Sequence, residues 1–244
     1  MKNDEIVALF SLPDNPTVHE GVKFISRGCG KLFTSSDPEG KQLGSGGGSA
    51  WLLAQAWRQS QQAGQESPGF GEWLGSRPRL MVHGSGESRR LPAYASAGKP
   101  LITVPELMGT PGQFPVQYLF NLQCRTFRSI LNQTPSSYSL MICCGDTLIF
   151  NRSFLPGIPE VDVLIFGVQV SPEEASRHGV IVTRHGRSGV INRFLQKPSV
   201  EELNQLDKWE AYALDSGIWL FSLRAVKVLM EKCGWDSEKS VFRN

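Results

Sequence analysis

Met81-Val82-His83-Gly84-Ser85-Gly86-Glu87-Ser88-Arg89-Arg90-Leu91-Pro92, continuing to Gly98-Lys99-Pro100, is the stretch on which the architecture turns. A short, mostly apolar strand from Arg79 to His83 runs into glycines that permit a tight turn, and two guanidinium groups follow. Successive backbone N–H groups in such a turn form an anion-binding concavity. Arg89 or Arg90 adds a bidentate fork for a phosphate, and Lys99 brings a point charge back toward the same place. These parts suit a nucleoside triphosphate whose β and γ phosphates leave together. Two common phosphate motifs fail on spelling. A P-loop, G-x-x-x-x-G-K-[ST], would meet Ala93 at its first glycine and Pro100 after its lysine. A dinucleotide fingerprint, G-x-G-x-x-G, lacks its last glycine in Gly44-Ser45-Gly46-Gly47-Gly48-Ser49, and the 84–89 stretch ends in Arg89.

Outward from this stretch, short apolar runs alternate with helical patterns. Residues 1–43 read as short apolar runs mixed with turn residues. The glycine stretch Gly44–Gly48 reads as a loop, followed by a helix over 50–57 with Ser49 as its N-cap. Residues 60–78, rich in Gln, Gly, Ser and Pro, read as a surface loop. Val116, Leu119, Phe120, Phe127, Ile130 and Leu131 recur at helical spacing. Leu140 to Cys144 is a compact apolar run that stops at Gly145-Asp146, and Val161 to Val170 reads as a buried strand. Val180–Thr183 and Val190–Leu195 read as a strand pair, Ser199–Leu206 as a short helix, Gly217–Phe221 as a strand and Leu223–Met230 as a helix. This alternation predicts an α/β sandwich with a mixed, mostly parallel sheet, in one domain spanning 1–244.

Composition bounds the function. Apolar residues are 40% and charged residues 20% of the 244, which excludes a disordered tail, a collagen-like repeat and a coiled coil. The net charge of +2 leaves no basic footprint for nucleic acid. No apolar run approaches the roughly 20 residues a membrane helix needs. The five cysteines are odd in number and two are adjacent, which fits a reducing cytoplasm better than a disulfide framework. Cys143 and Cys144 are expected to pack as small hydrophobes, and Trp51, Trp57 and Phe120 to lie in the core.

The ordered set Thr34-Ser35-Ser36-Asp37-Pro38, Leu43 to Gly48, His83 through Pro92, Gly98-Lys99, Gly145-Asp146, His178-Gly179-Val180, Leu195-Gln196-Lys197-Pro198 and Gly217-Ile218-Trp219 resembles the fucose-1-phosphate guanylyltransferase family. That family includes the N-terminal part of bacterial bifunctional fucokinase/GDP-fucose pyrophosphorylases. One departure is the loop itself, usually spelled with a Gly-Gly pair and here Gly84-Ser85-Gly86. The resemblance implies a Rossmann-like nucleotidyltransferase (GT-A-like) fold and transfer of GMP from GTP to fucose 1-phosphate. Mg²⁺ is the implied cofactor, with Asp146 as its ligand. Arg90, Lys99, Asp146 and Lys197 would be catalytic, and Gly44, Ser45, Gly46, Gly47, Gly84, Ser85, Gly86, Ser88 and Arg89 would bind nucleotide. His178, Gly179, Lys197 and Asp215 would meet the sugar phosphate. Related enzymes supply a second metal-binding aspartate late in the domain, and no residue up to Asn244 is assigned to it. Nothing in the chain corresponds to the sugar-kinase module of the bifunctional enzymes, so fucokinase activity is not assigned. Two other readings stay open: a pyrophosphorylase for another sugar 1-phosphate, and a non-catalytic nucleotide-binding domain of a larger protein.

Overall fold

The computed structural model describes residues 7–26, 30–61, 68–85, 98–105, 117–149, 157–184 and 189–243. The chain forms two compact units, Met1–Leu164 with Trp219–Asn244, and Ile165–Ile218. In chain order the elements are β1 (Val7–Ser11), α1 (Pro16–Ile25), β2 (Lys31–Ser35), α2 (Gly44–Gln61), α3 (Phe70–Gly75), β3 (Arg79–His83), β4 (Thr103–Val104), β5 (Gln117–Tyr118), α4 (Leu119–Gln133) and β6 (Tyr138–Cys144). They continue with β7 (Val163–Val168), α5 (Pro172–Ala175), β8 (Gly179–Arg184), β9 (Ile191–Gln196), α6 (Val200–Asn204), β10 (Glu210–Ser222), α7 (Leu223–Lys232), β11 (Trp235–Asp236) and β12 (Val241–Phe242).

The first unit is built on a parallel sheet in the order β2-β1-β3-β6. Strands covered on both faces carry near-continuous apolar runs, and Ala8-Leu9-Phe10 and Leu80-Met81-Val82 are buried accordingly. Alternation then divides these residues between two cores. Leu9, Met81 and Leu140 face Ala50, Leu53 and Ala54 of α2, Phe70, Trp73 and Leu74 of α3, and Val226 and Met230 of α7. On the opposite face Phe10 meets Phe120 of α4 edge-on, with ring centroids 4.8 Å apart. α1 is started by Asn15, whose side chain accepts from the Thr17 N–H, with Pro16 in the first turn where its missing N–H costs nothing.

The structure changes three sequence expectations in this unit. Residues 1–43 hold a complete β1-α1-β2 unit. The 60–78 stretch contains the end of α2 and all of α3, while residues 62–67 lie outside the described residues. α3 has only six residues, two of them glycine, so intrinsic propensity is against it. It is held by burial of Phe70, Trp73 and Leu74 and by Arg79, whose guanidinium donates to the carbonyls of Leu74 and Arg77, both at 2.8 Å, and of Trp73. Arg79 also lies over the Trp73 ring, 3.7 Å from its centroid. Burial pulls its pKa down to about 9, so the group stays charged at neutral pH and binds the negative end of α3. Third, Gly44–Gly48 is not a loop: it forms the first turns of α2, and Ser49 is inside the helix rather than its N-cap.

In the second unit β8 pairs antiparallel with β9 and with residues 210–214 of β10. The strand pair expected over 180–195 is therefore present, and its connection 185–188 lies outside the described residues. Ala175, Val180, Val182 and Leu203 form the core between these strands and helices α5 and α6. Both helices start on a serine followed three residues later by glutamate: Ser171 accepts from Glu174 N–H and Ser199 from Glu202 N–H. No helix among the described residues is long and apolar enough to cross a membrane.

Candidate active site

The strand register levels four residues at the carboxyl ends of the parallel strands: Ser35, Ser11, His83 and Cys144. β1 leads to β2 on one side, and the chain then returns to place β3 on the other. The sheet thus has a topological switch point between β1 and β3, the position at which open α/β sheets bind ligands. The loops leaving these strand ends are knotted together there. Gly84 N–H donates to Ser11 O at 2.8 Å, and the hydroxyls of Ser11 and Ser85 share a hydrogen bond of 3.1 Å. Lys99 N–H donates to Gly84 O at 3.1 Å, and Gly145 N–H to His83 O at 2.9 Å.

Two glycines make this knot possible. A Cβ on Gly145 would lie 2.7 Å from His83 O and 3.2 Å from Gly84 Cα, both backbone atoms with nowhere to move. Gly98 has φ +76°, and a Cβ there would be 2.9 Å from Val18 Cγ1. The residues that follow these glycines, Lys99 and Asp146, are thereby brought face to face: Lys99 Nζ is 2.9 Å from Asp146 Oδ2. The lysine side chain is 21% exposed and the aspartate 46%, so a solute can reach the carboxylate while the ammonium is partly withdrawn from water.

Sequence reasoning passed over His83 as a separate functional residue. Its Nε2 is 3.0 Å from Ser49 Oγ, which donates to Ser45 O at 2.7 Å. The hydroxyl has one proton, so the imidazole supplies the other hydrogen bond through Nε2–H. Burial first, then the Lys99 charge, hold His83 below the ordinary imidazole range, opposed by Asp37. It is neutral at neutral pH. Asp37 itself accepts the Leu43 N–H at 3.0 Å through Oδ2, at the entry to α2. This contact accounts for the early helix start, with Asp37 Oδ1 only 3.4 Å from where a Cβ on Gly48 would lie. His19, on α1, donates through Nε2 to Pro13 O at 3.0 Å and accepts from Thr34 Oγ1 at 2.8 Å, fastening the end of β2 to the loop after β1. A histidine on a helix carries no linear signal for such a role.

The expected site residues thus fall into separate groups. Gly84, Ser85, Lys99 and Asp146 lie together at the switch point, and Gly44, Ser45, Gly46 and Gly47 form the start of α2, joined to them through Ser49 and His83. Gly86, Ser88, Arg89 and Arg90 lie outside the described residues. In the second unit Lys197 N–H donates to His178 O at 2.9 Å, and Gly179 pairs with Gln196, so His178, Gly179 and Lys197 are neighbours. Lys197 has φ +50°, a left-handed conformation unusual for a residue with a side chain. Asp215 accepts the Gly217 N–H at 2.8 Å, closing a local turn within β10.

For a hard divalent cation the donor chemistry is adequate but sparse. Among the described residues there is no cluster of three or more His, Cys, Asp or Glu. Asp146 is a half-exposed oxygen ligand at the right edge of the sheet. Mg²⁺ commonly takes one or two carboxylates and completes its shell with waters and substrate phosphates. Asp146 fits that pattern and would not fit an all-protein cage.

A parallel α/β sheet whose switch point carries glycine turns and a lysine–carboxylate pair is a Rossmann-like architecture with charged groups at its ligand-binding edge. The chain belongs to the fucose pyrophosphorylase family, whose domain model matches residues 74–238. It is similar to a Bacteroides fragilis protein named L-fucokinase/L-fucose-1-P guanylyltransferase, with 38% identity over 235 residues covering 96% of this chain and 24% of that protein. It is also similar to the Arabidopsis thaliana bifunctional fucokinase/GDP-fucose pyrophosphorylase, with 26% identity over 227 residues covering 84% of this chain and 22% of that protein. The chain therefore spans about a quarter of the length of these curated relatives.

Proposed function

We infer that this chain is a nucleotidyltransferase that forms GDP-fucose and pyrophosphate from GTP and fucose 1-phosphate. The observation that carries the reading is the Lys99–Asp146 pair at the switch point, inside the stretch matched by the fucose pyrophosphorylase model. A phosphate oxygen of fucose 1-phosphate bonds to the α-phosphorus of GTP. The bond from that phosphorus to the oxygen bridging to the β-phosphate breaks, and pyrophosphate leaves with that oxygen and the electron pair. No side chain need become covalently attached, so the protein's work is positioning and charge stabilisation.

Lys99 is assigned to the departing phosphates, together with Arg90 and Arg89 from the stretch outside the described residues. Backbone N–H groups of the 84–86 turn, with Ser85 and Ser88, and of Gly44–Gly47 are assigned to the nucleotide phosphates. Lys197, with His178, Gly179 and Asp215, is assigned to the sugar phosphate, where its charge would screen the repulsion between two anionic reactants. Asp146 would hold Mg²⁺, which when bound neutralises triphosphate charge as the α-phosphorus is attacked.

The test is direct. The purified chain is incubated with GTP, fucose 1-phosphate and Mg²⁺, and pyrophosphate is measured. The expected result is release that Lys99→Ala and Asp146→Asn abolish. Nucleotide binding without any pyrophosphate would overturn the reading. Substituting ATP, CTP and UTP, or other sugar 1-phosphates, sets the specificity.

A further inference from the structure

Without ligand, Lys99 and Asp146 are each other's counter-ion. Both are tied by backbone to adjacent residues where β3 ends, Lys99 N–H to Gly84 O and, next to Asp146, Gly145 N–H to His83 O. The two glycines that precede these residues are tightly enclosed: a Cβ would lie 2.7 Å from His83 O at Gly145 and 2.9 Å from Val18 Cγ1 at Gly98. A triphosphate without a metal that approached Lys99 would have to break the ion pair and then lie beside an uncompensated carboxylate. A divalent cation arriving alone at Asp146 would strand the lysine charge beside it. When cation and triphosphate arrive together both losses vanish, because the carboxylate takes the cation and the ammonium takes a phosphate.

We propose that the Lys99–Asp146 pair is a specificity device that discriminates the metal-complexed nucleoside triphosphate from the free one. The proposal rests on the nucleotidyltransferase reading for the identity of the anion, and on the ion pair for the discrimination. Its consequence runs against the usual effect of removing a site residue. Neutralising Asp146 should improve binding of the metal-free anion, because it releases Lys99 and removes the opposing charge. Coupling of this kind between two ligands is typically about 5–150-fold.

The experiment measures binding of GTP, and separately of inorganic pyrophosphate, by calorimetry in EDTA and in excess Mg²⁺. The proteins are the wild type, Asp146→Asn, Lys99→Gln and the double variant, with circular dichroism melts to show that each folds. In EDTA, Asp146→Asn should bind the anions about tenfold more tightly than the wild type. Mg²⁺ should tighten binding to the wild type and leave Asp146→Asn nearly unchanged. In the Lys99→Gln background the gain from Asp146→Asn should shrink to the smaller part due to loss of a negative charge alone, and the difference between the two backgrounds measures release of the lysine. Metal-free binding by Asp146→Asn no tighter than wild type, or a gain just as large without Lys99, would overturn the proposal. If pyrophosphate shows the expected pattern and GTP does not bind, the discrimination stands and the guanylyl reading falls. If GTP binds with Mg²⁺ but Asp146→Asn gains nothing in EDTA, the discrimination falls alone.

Discussion

Gly145→Ala tests whether the switch-point knot positions the site. The added methyl would sit 2.7 Å from His83 O and 3.2 Å from Gly84 Cα, well inside contact distance. Both are backbone atoms of the strand end that anchors Lys99 and Asp146, so relief requires the β3 and β6 termini to separate. Overpacking of this kind costs about 1–3 kcal/mol. Separation also weakens the Gly145 N–H to His83 O bond, worth about 0.5–1.5 kcal/mol net. The expected loss is about 2–4 kcal/mol, read as a lower urea midpoint at unchanged slope. Gly157→Ala is the matched control, since nothing lies within 4 Å of where its Cβ would be and its φ is not in the left-handed region. There the expected change is a gain of up to about 1 kcal/mol, from reduced freedom of the unfolded chain. The same Gly145→Ala protein should lose metal-dependent tightening of GTP, because Asp146 moves with residue 145. A midpoint for Gly145→Ala equal to that of Gly157→Ala would refute the argument that close backbone approach fixes the site.

Two further outcomes follow from local geometry. His83 is held below its ordinary pKa in the folded state, so below the unfolded value the unfolded chain takes up the proton more readily. The stability due to neutral His83 is complete above about pH 6.5 and falls as the pH drops through the folded-state value. His83→Gln, which keeps an amide donor for Ser49 Oγ, should flatten the urea stability profile below about pH 6.5, and an unchanged slope would show that another group titrates. Lys197 has φ +50°, at a cost of about 1–2 kcal/mol for an L side chain. Lys197→Gly should leave stability unchanged or raise it by up to about 1 kcal/mol while raising the KM for fucose 1-phosphate, and a KM equal to wild type would remove Lys197 from the sugar-phosphate role.

What could be read from the linear sequence follows from where burial dominates. Met81-Val82 and Leu140, Met141 and Cys143 are buried in a parallel sheet covered on both faces, with Ile142 and Cys144 partly so; they show as apolar runs, and the strand ends at His83 and Cys144 could be located. The β8–β9 pair was legible for a similar reason, through Val180–Val182 and the turn residues after it. α3 was hidden because Phe70, Trp73 and Leu74 stabilise it through tertiary contacts that its two glycines disguise. The start of α2 was hidden because glycine disfavours helix by about 1 kcal/mol per residue relative to alanine, while the compensating groups, Asp37 at Leu43 N–H and Ser49 at Ser45 O, act through contacts that composition does not show.

The same distinction governs the site. Lys99 and Asp146 were recognisable by residue type and by the glycine that precedes each, yet nothing in their separation along the chain implies that they touch. Contact is created by two hydrogen bonds to adjacent residues, Lys99 N–H to Gly84 O just past β3 and Gly145 N–H to His83 O at its end, together with a sheet order that makes β3 and β6 neighbours. Sequence could therefore supply the two charges with separate roles, one for phosphate and one for metal. Their pairing in the absence of ligand is a property of the fold, and under the proposed roles it would make the two interdependent, each charge available to its ligand to the extent that the other has been given a replacement partner.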